Sequence, residues 1–168
     1  MPVCHLWLLP EARAARRLQG LIAWLARRHG TPCFTPHVTL LGRVSGDPRL
    51  LRRRLALRAA AWPAIAVTLG PPAIGHSYYQ NLLLPVASNP ALAALRQRAA
   101  RLLDAPAGDW FPHLSLAYGI PPRRLPAARR ALRVRPLPRR LVLDRLQLVA
   151  GGPTPRHWRV LGTWVLAG

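Results

Sequence analysis

The sequence predicts an α+β fold in which two similar lobes face each other across a central cleft, within a single domain of residues 1–168. Two observations indicate this fold. Segments that alternate like strands and segments with helical periodicity follow one another along the chain, without a long linker. One short segment is present twice, around His37 and around His113, and each copy follows a predicted helix and a loop. We therefore expect mostly antiparallel sheet in each lobe, with helices on the outside.

The first half of the chain begins with a strand-like alternation at residues 3–9, after which Pro10 favours the start of a helix. That helix has apolar residues at helical spacing and should end near Gly30. The first His-containing strand is expected over residues 35–43. A Ser-Gly-Asp-Pro turn then predicts the cap of a second helix, which runs to about Ala60.

The second half contains three short β-like segments, a third helix, the second His-containing strand, a short helix and two closing strands. Gly, Pro and Asn clusters separate these segments. The expected ranges are 64–69, 73–79 and 81–86 for the three strands, 90–103 for the helix, 111–118 for the His strand, 126–133 for the short helix, and 140–149 and 158–166 for the last strands. With 51% hydrophobic residues, the chain can bury a sizeable core.

The two copies of the repeated segment, residues 36–40 and 112–116, both read Pro, His, apolar, hydroxyl, Leu, with an aromatic residue shortly before. In a strand, residues two positions apart project from the same face. Each copy therefore presents one imidazole and one hydroxyl on one face, roughly 6.6 Å apart along the strand at ~3.3 Å per residue. The apolar residues between them point into the core. Two such strands would surround one small anionic group with two imidazoles and two hydroxyls.

This group of side chains suits the opening or formation of a phosphodiester at a sugar hydroxyl. An unperturbed imidazole pKa of ~6.5 lets one histidine act as a base and the other as an acid near neutral pH. The hydroxyls of Thr39 and Ser115 can donate to the non-bridging phosphate oxygens. These proton transfers need no metal or other cofactor.

The net charge of +20 arises from 25 basic residues, all of them Arg, against 5 acidic ones. Arg presents a fork of donors that suits phosphate, so a small nucleotide substrate or RNA ends are plausible partners. Arg, Ala, Leu and Pro also have GC-rich codons, and the composition is equally consistent with a GC-rich genome. The charge therefore supports a phosphate substrate without identifying one.

Cysteine use and hydropathy indicate the compartment. Only two cysteines occur, Cys4 and Cys33, too few for a disulfide framework. No apolar run reaches 18 residues, and the chain enters a strand-like pattern without the features of a signal peptide. We expect a soluble, cytoplasmic monomer that does not associate with a membrane.

Residues 36–40, and residues 112–116 with the following Tyr118, resemble the two His-x-Thr/Ser motifs of the 2H phosphoesterase superfamily. Residues 6–11 and 113–118 are more similar to its cyclic phosphodiesterase branch than to its RNA 2′-5′ ligase-like branch. The resemblance implies a bilobal 2H phosphoesterase-like fold and metal-independent opening of ADP-ribose 1″,2″-cyclic phosphate or of nucleoside 2′,3′-cyclic phosphates. It also implies that His37 and His113 are the acid and base.

By the same resemblance, Thr39 and Ser115 hold the phosphate and Tyr118 contacts it, although strand parity alone places Tyr118 on the opposite face. Family analogy further assigns activation of water to His113 and protonation of the leaving oxygen to His37. Three aromatic residues are possible substrate contacts: Phe34, Phe111 and Tyr79.

Other functions remain open. The same residues could serve an RNA 2′,3′-cyclic phosphodiesterase or 2′-5′ RNA ligase-like enzyme that acts on RNA ends. The chain could also be a basic, non-catalytic RNA-binding module with silent histidines. A zinc site with His157 as a third ligand is disfavoured, because no metal-ligand spacing supports it. His5, in the first predicted strand, is expected to be structural.

Overall fold

A computed structural model describes residues 3–168, which form eight β-strands and four α-helices. The strands are β1 (Cys4–Pro10), β2 (Val38–Val44), β3 (Ile65–Thr68), β4 (Ala73–Ile74), β5 (Leu82–Pro85), β6 (His113–Ala117), β7 (Arg140–Ala150) and β8 (Arg159–Val165). The helices are α1 (Ala12–His29), α2 (Pro48–Ala56), α3 (Pro90–Leu103) and α4 (Leu125–Ala131). Short 3₁₀ turns cover Ala59–Ala61, Pro122–Arg124 and Pro155–His157.

The strands form one curved sheet in the order β3-β7-β1-β2-β6-β5-β4, with β8 paired to β7. Each pair of neighbouring strands is antiparallel. The predicted α+β class with a mostly antiparallel sheet is therefore confirmed. Within residues 3–168, none of the helices is both long enough and apolar enough to cross a bilayer.

The predicted duplication is visible as two strand-helix-strand units, β1-α1-β2 and β5-α3-β6. Each helix contacts the other unit: α1 packs against β6 as well as against β1, and α3 packs against β2. Their sheets meet at a single residue pair, Val38 opposite Leu114. The two His-containing strands are therefore neighbours at the centre of the sheet.

The central strands are held by the core on one face. Val38 and Leu40 on β2, and Leu114 and Leu116 on β6, are fully buried. Each buried side chain of this kind contributes about 1.5–3 kcal/mol relative to exposure. Because strand side chains alternate, this burial turns the intervening residues towards the opposite face.

Several element ends differ from those predicted, and the largest difference is in residues 73–79. Only Ala73–Ile74 is strand there. The next residues form a tight loop in which the amide of Gln80 donates to Ser77 Oγ at 3.0 Å. A Cβ at Gly75 would lie 2.0 Å from the carbonyl oxygen of Gln80, so the backbone approach needs glycine. The second helix ends at Ala56 rather than near Ala60, and a 3₁₀ turn follows it.

Side chains cap α2 and α3 as the sequence predicts. The Asp47 carboxylate accepts from the amide of Arg49 at 2.8 Å. Asn89 Oδ1 accepts from the amide of Leu92 at 3.0 Å, and its Nδ2 donates to the carbonyl of Ala66 at 2.8 Å. Asn89 therefore joins the start of α3 to β3 as well as capping the helix.

We expect Asn89→Ala to lower the free energy of unfolding by about 1–2 kcal/mol, because it removes both the cap and the bond to Ala66. Urea denaturation followed by circular dichroism measures this loss. Ser88→Ala is the matched control: Ser88 is exposed and its hydroxyl makes no hydrogen bond within residues 3–168. Equal stability of the two variants would contradict the capping role.

Candidate active site

The two histidines of the repeated motif are anchored in the same way. Nδ1 of His37 donates to the carbonyl of Thr35 at 2.7 Å, and Nδ1 of His113 donates to the carbonyl of Phe111 at 2.8 Å. A carbonyl oxygen only accepts, so Nδ1 carries the hydrogen in each ring. Nε2 of each ring has no hydrogen-bond partner in the described part of the chain. Each imidazole can therefore take up or release a proton at Nε2.

The strand register explains why the two motifs converge. Val38 lies opposite Leu114 in an antiparallel pair, and both side chains are in the core. The flanking residues project from the other face, which places His37 across from Ser115 and Thr39 across from His113. In a regular register, residues directly opposite each other have Cβ atoms about 4.5–5.5 Å apart, and the diagonal pair, His37 and His113, is roughly 7–8 Å apart. All four residues line one cleft of about 700 Å³.

The two hydroxyls differ in their hydrogen bonds. Ser115 Oγ donates to the carbonyl of Tyr79 at 3.2 Å. The Thr39 hydroxyl lines the cleft and makes no hydrogen bond to another residue among those described. Thr39 is therefore ready to donate to a ligand, whereas Ser115 has to release Tyr79 first.

His37 is held inside an aromatic enclosure. Its ring stacks on Trp7 at a centroid distance of 3.7 Å and an interplanar angle of 12°, and Trp158 approaches edge-on at 6.2 Å. Burial lowers the pKa of His37 to about 4; the bond to Thr35 opposes this shift, and His113 and His5 add to it. The face of the Trp7 ring favours the charged imidazole and so also opposes the lowering of the pKa by burial. His37 is neutral at neutral pH.

His113 lies nearer to solvent and stacks on Phe111 at a centroid distance of 5.5 Å. Burial lowers its pKa as well, and the bond to the Phe111 carbonyl opposes the shift. The larger depression is that of His37, the more deeply buried ring.

Tyr118 lines the cleft although strand parity placed it with the core residues of β6. The strand ends at Ala117, and Gly119 adopts a left-handed conformation with φ of 69°, so the alternation stops before Tyr118. The ring stacks on Phe34 at 3.8 Å. Burial raises the pKa of the Tyr118 phenol, while the Ser115 hydroxyl opposes the shift, so the phenol stays neutral and can donate.

The three predicted aromatic contacts have different surroundings. Phe111 is 51% exposed and Tyr79 is 41% exposed, and both line the cleft. The Tyr79 hydroxyl donates to the carbonyl of Pro153 at 3.1 Å, which holds the loop in place. The prediction that Phe34 contacts the substrate is wrong, because Phe34 is buried under Tyr118 and does not line the cleft. Its ring supports Tyr118 and is not open to a substrate.

Sequence reasoning missed several residues of the cleft wall, among them His5, Trp7, Arg43 and Arg96. His5 was expected to be structural, but it lines the cleft close to His37 and Arg43. Alternation with the buried Cys4 and Leu6 placed His5 and Trp7 on one face of β1. What the sequence did not provide was the strand order, which sets Trp7 opposite Thr39.

Within residues 3–168, no three His, Cys, Asp or Glu side chains lie close enough together to hold a metal ion. His157, the candidate third ligand, lies outside the cleft lining, with its Nδ1 2.9 Å from Thr154 Oγ1.

The fold and the paired His-x-Thr/Ser motifs define a member of the 2H phosphoesterase superfamily. A family model of the 2′-5′ RNA ligase superfamily matches residues 9–152, and the chain belongs to this family. The predicted resemblance is confirmed, and the family supports a phosphodiesterase or ligase-like activity. No curated protein matches the sequence.

Solved structures share the fold at low identity. Escherichia coli LigT complexed with ATP aligns with a TM-score of 0.62 and 14% identity, covering 99% of this chain and 98% of LigT. The same protein complexed with 3′-AMP gives 0.61 and 14%, covering 99% of both chains. TT0787 of Thermus thermophilus gives 0.60 and 14%, covering 97% of both chains. These similarities support the fold, while substrate and mechanism rest on the site.

The buried His37 gives stability a defined pH dependence. In the unfolded chain its pKa is near 6.5, and in the folded chain it is about 4. Because the unfolded state binds the proton first, stability is retained above pH 6.5 and is lost as the pH falls towards 4. At about 1.4 kcal/mol per pKa unit, the loss from His37 is about 3 kcal/mol. Urea denaturation across this range measures it.

The control for this prediction is His37→Gln, which cannot titrate but keeps a polar side chain. Its unfolding free energy should fall less steeply than that of the wild type over the same pH range, because the contribution of His37 is removed. It should still fall, because burial also lowers the pKa values of His5 and His113. Parallel curves for the two proteins would show that His37 is not held neutral by the fold.

Proposed function

We propose that this protein is a cyclic phosphodiesterase that opens a small cyclic phosphate by general acid-base hydrolysis with His37 and His113. The observation that carries this proposal is their shared arrangement in one cleft. Each ring is anchored through Nδ1 to a backbone carbonyl two residues earlier, and each has Nε2 available. Two imidazoles placed in this way supply both proton transfers without a metal ion.

We assign the two roles by burial, with the more deeply buried His37 as the base and His113 as the acid. His37, the more deeply buried ring, is neutral and accepts a proton from water at Nε2 as the water oxygen attacks phosphorus. His113, which lies nearer to solvent, takes up a proton from solvent and gives it to the sugar oxygen as that P–O bond breaks. The product is a phosphomonoester with one free sugar hydroxyl. This assignment reverses the expectation from family analogy, and exchange with solvent restores the original protonation.

Hydroxyl donors complete the proposed site. Thr39 donates to a non-bridging phosphate oxygen without losing a protein hydrogen bond. Ser115 donates only when it leaves the carbonyl of Tyr79. The neutral phenol of Tyr118, beside Ser115, supplies a further donor. Negative charge that develops on the phosphate would therefore meet donors from both motifs.

The proposed substrates are ADP-ribose 1″,2″-cyclic phosphate or a nucleoside 2′,3′-cyclic phosphate. The exposed rings of Tyr79 and Phe111 at the cleft offer faces on which a base can stack. The site residues all come from one chain, and we propose that the enzyme works as a monomer. RNA ends with a 2′,3′-cyclic phosphate are the second candidate, favoured by the family match and by the net charge of +20.

Replacement of either histidine tests the enzymatic function. We expect His37→Ala and His113→Ala each to lower kcat for a nucleoside 2′,3′-cyclic phosphate by about 10²–10⁴-fold, because each removes one proton transfer. His76→Ala is the control, because His76 lies outside the cleft lining. Full turnover in either cleft variant would exclude the mechanism. If the wild type binds RNA but does not turn over a cyclic phosphate, the non-catalytic alternative is supported.

The two hydroxyl variants should differ. We expect Thr39→Ala to lower kcat/KM by about 10-fold or more, since it removes a donor that is free in the unbound protein. Ser115→Ala should lower it less, because the Ser115 donor is already engaged by Tyr79. Steady-state kinetics on one substrate measure both. A larger loss for Ser115→Ala would mean that this hydroxyl, and not Thr39, is the principal phosphate donor.

A further inference from the structure

Arg96 on α3 is a buried cation in the cleft wall. It is 9% exposed and its Nε donates to the carbonyl of Leu40 at 3.2 Å. The guanidinium lies over the ring of Trp110, 5.0 Å from its centroid. Neither contact supplies a negative charge, and a buried charge needs a partner. The guanidinium therefore leaves donors at the cleft without a counter-ion.

The carboxylates of the protein do not neutralise Arg96. Within residues 3–168, the ion pairs are Arg54–Asp104 and Arg145–Asp144, and neither involves the cleft lining. Asp109 is the one acidic residue among those described that lines the cleft, but it is exposed and forms no ion pair.

Arg43 places a second guanidinium in the same cleft. It adopts a left-handed conformation with φ of 56°, which costs a non-glycine residue about 1 kcal/mol or more. The register between β1 and β2 is irregular here, as expected of a bulge, and bulges next to active sites redirect side chains. Arg43 lines the cleft within this irregular segment.

Arg96 and Arg43 are both connected to β2 beyond Thr39. Leu40, whose carbonyl binds Arg96, directly follows Thr39, and Arg43 is further along the same strand. The cleft volume of about 700 Å³ is in the range that encloses a whole small molecule, so it extends beyond one phosphate.

We propose that Arg96 and Arg43 form a second phosphate-binding subsite, which takes a phosphate on the 5′-oxygen of the sugar that carries the cyclic phosphate. The planar guanidinium of Arg96 suits paired hydrogen bonds to phosphate oxygens. This inference rests on the proposed function and narrows its substrate class. A nucleoside 2′,3′-cyclic phosphate without a 5′-phosphate leaves the subsite empty, whereas an RNA end and ADP-ribose 1″,2″-cyclic phosphate both fill it.

Two substrates that differ only in this group provide the test: cytidine 2′,3′-cyclic phosphate and its 5′-phosphorylated form. In the wild type, kcat/KM should be about 10- to 100-fold higher for the 5′-phosphorylated substrate, mainly through a lower KM. Arg96→Gln should remove most of this preference. Arg98→Gln, which changes the same charge at an exposed position of α3, should keep it.

Equal kcat/KM for the two substrates in the wild type would overturn the subsite, whatever the variants do. If Arg96→Gln lowers kcat/KM equally for both substrates, Arg96 does not belong to the subsite. Should Arg96→Gln fold poorly, Arg96→Lys keeps the charge but loses the paired donors, and a partial loss of the preference is then expected.

Product binding separates this inference from the catalytic proposal. Calorimetry on the wild type should show cytidine 2′,5′-bisphosphate binding about 10-fold or more tightly than cytidine 2′-monophosphate, even if turnover fails. Equal affinities would overturn the subsite while leaving hydrolysis intact. Two further substrates distinguish the source of the 5′-phosphate: a dinucleotide with a 2′,3′-cyclic end, and ADP-ribose 1″,2″-cyclic phosphate. The substrate for which Arg96→Gln lowers kcat/KM more identifies that source.

Discussion

The contact between Val38 and Leu114 is the constraint on which the site depends. It is the single residue pair that joins the two halves of the sheet. Because both side chains are fully buried, the residues on either side of them must project from the opposite face. A shift of one residue in this register would turn the imidazoles into the core and the Leu and Val side chains into the cleft. Packing of the core therefore fixes the geometry of the proposed chemistry.

The helices enforce that register from outside the sheet. Because α1 packs against β6 and α3 packs against β2, each half of the molecule is covered by a helix of the other half. The same packing brings Arg96, carried by α3, to the cleft beside β2. The packing of α1 and α3 against the sheet therefore positions both the two histidine strands and the buried guanidinium of Arg96.

The environment makes two chemically identical histidines unequal. Their sequence motifs and their backbone anchors match, yet His37 lies against Trp7 and beneath Trp158, while His113 stacks on the exposed Phe111. Burial lowers the pKa of both rings, and it lowers the pKa of His37, the more deeply buried ring, to about 4. The asymmetry comes from the neighbours of the two motifs and not from the motifs themselves.

Sequence patterns predicted what is local, and tertiary pairing determined the rest. The alternation within residues 36–40 and 112–116 was sufficient to put His37 and His113 on the cleft side of their strands. His5 and Arg96 could not be placed, because their positions depend on which strands and helices become neighbours. Tyr118 was ambiguous because the end of β6 is set by the turn at Gly119, and Phe34 was misplaced because Tyr118 covers it. A crystal structure of the protein with a nucleoside 2′-monophosphate tests the central claim most directly. We predict one phosphate within hydrogen-bond distance of Nε2 of both His37 and His113, and a phosphate that contacts only one ring, or binds outside the cleft, would contradict it.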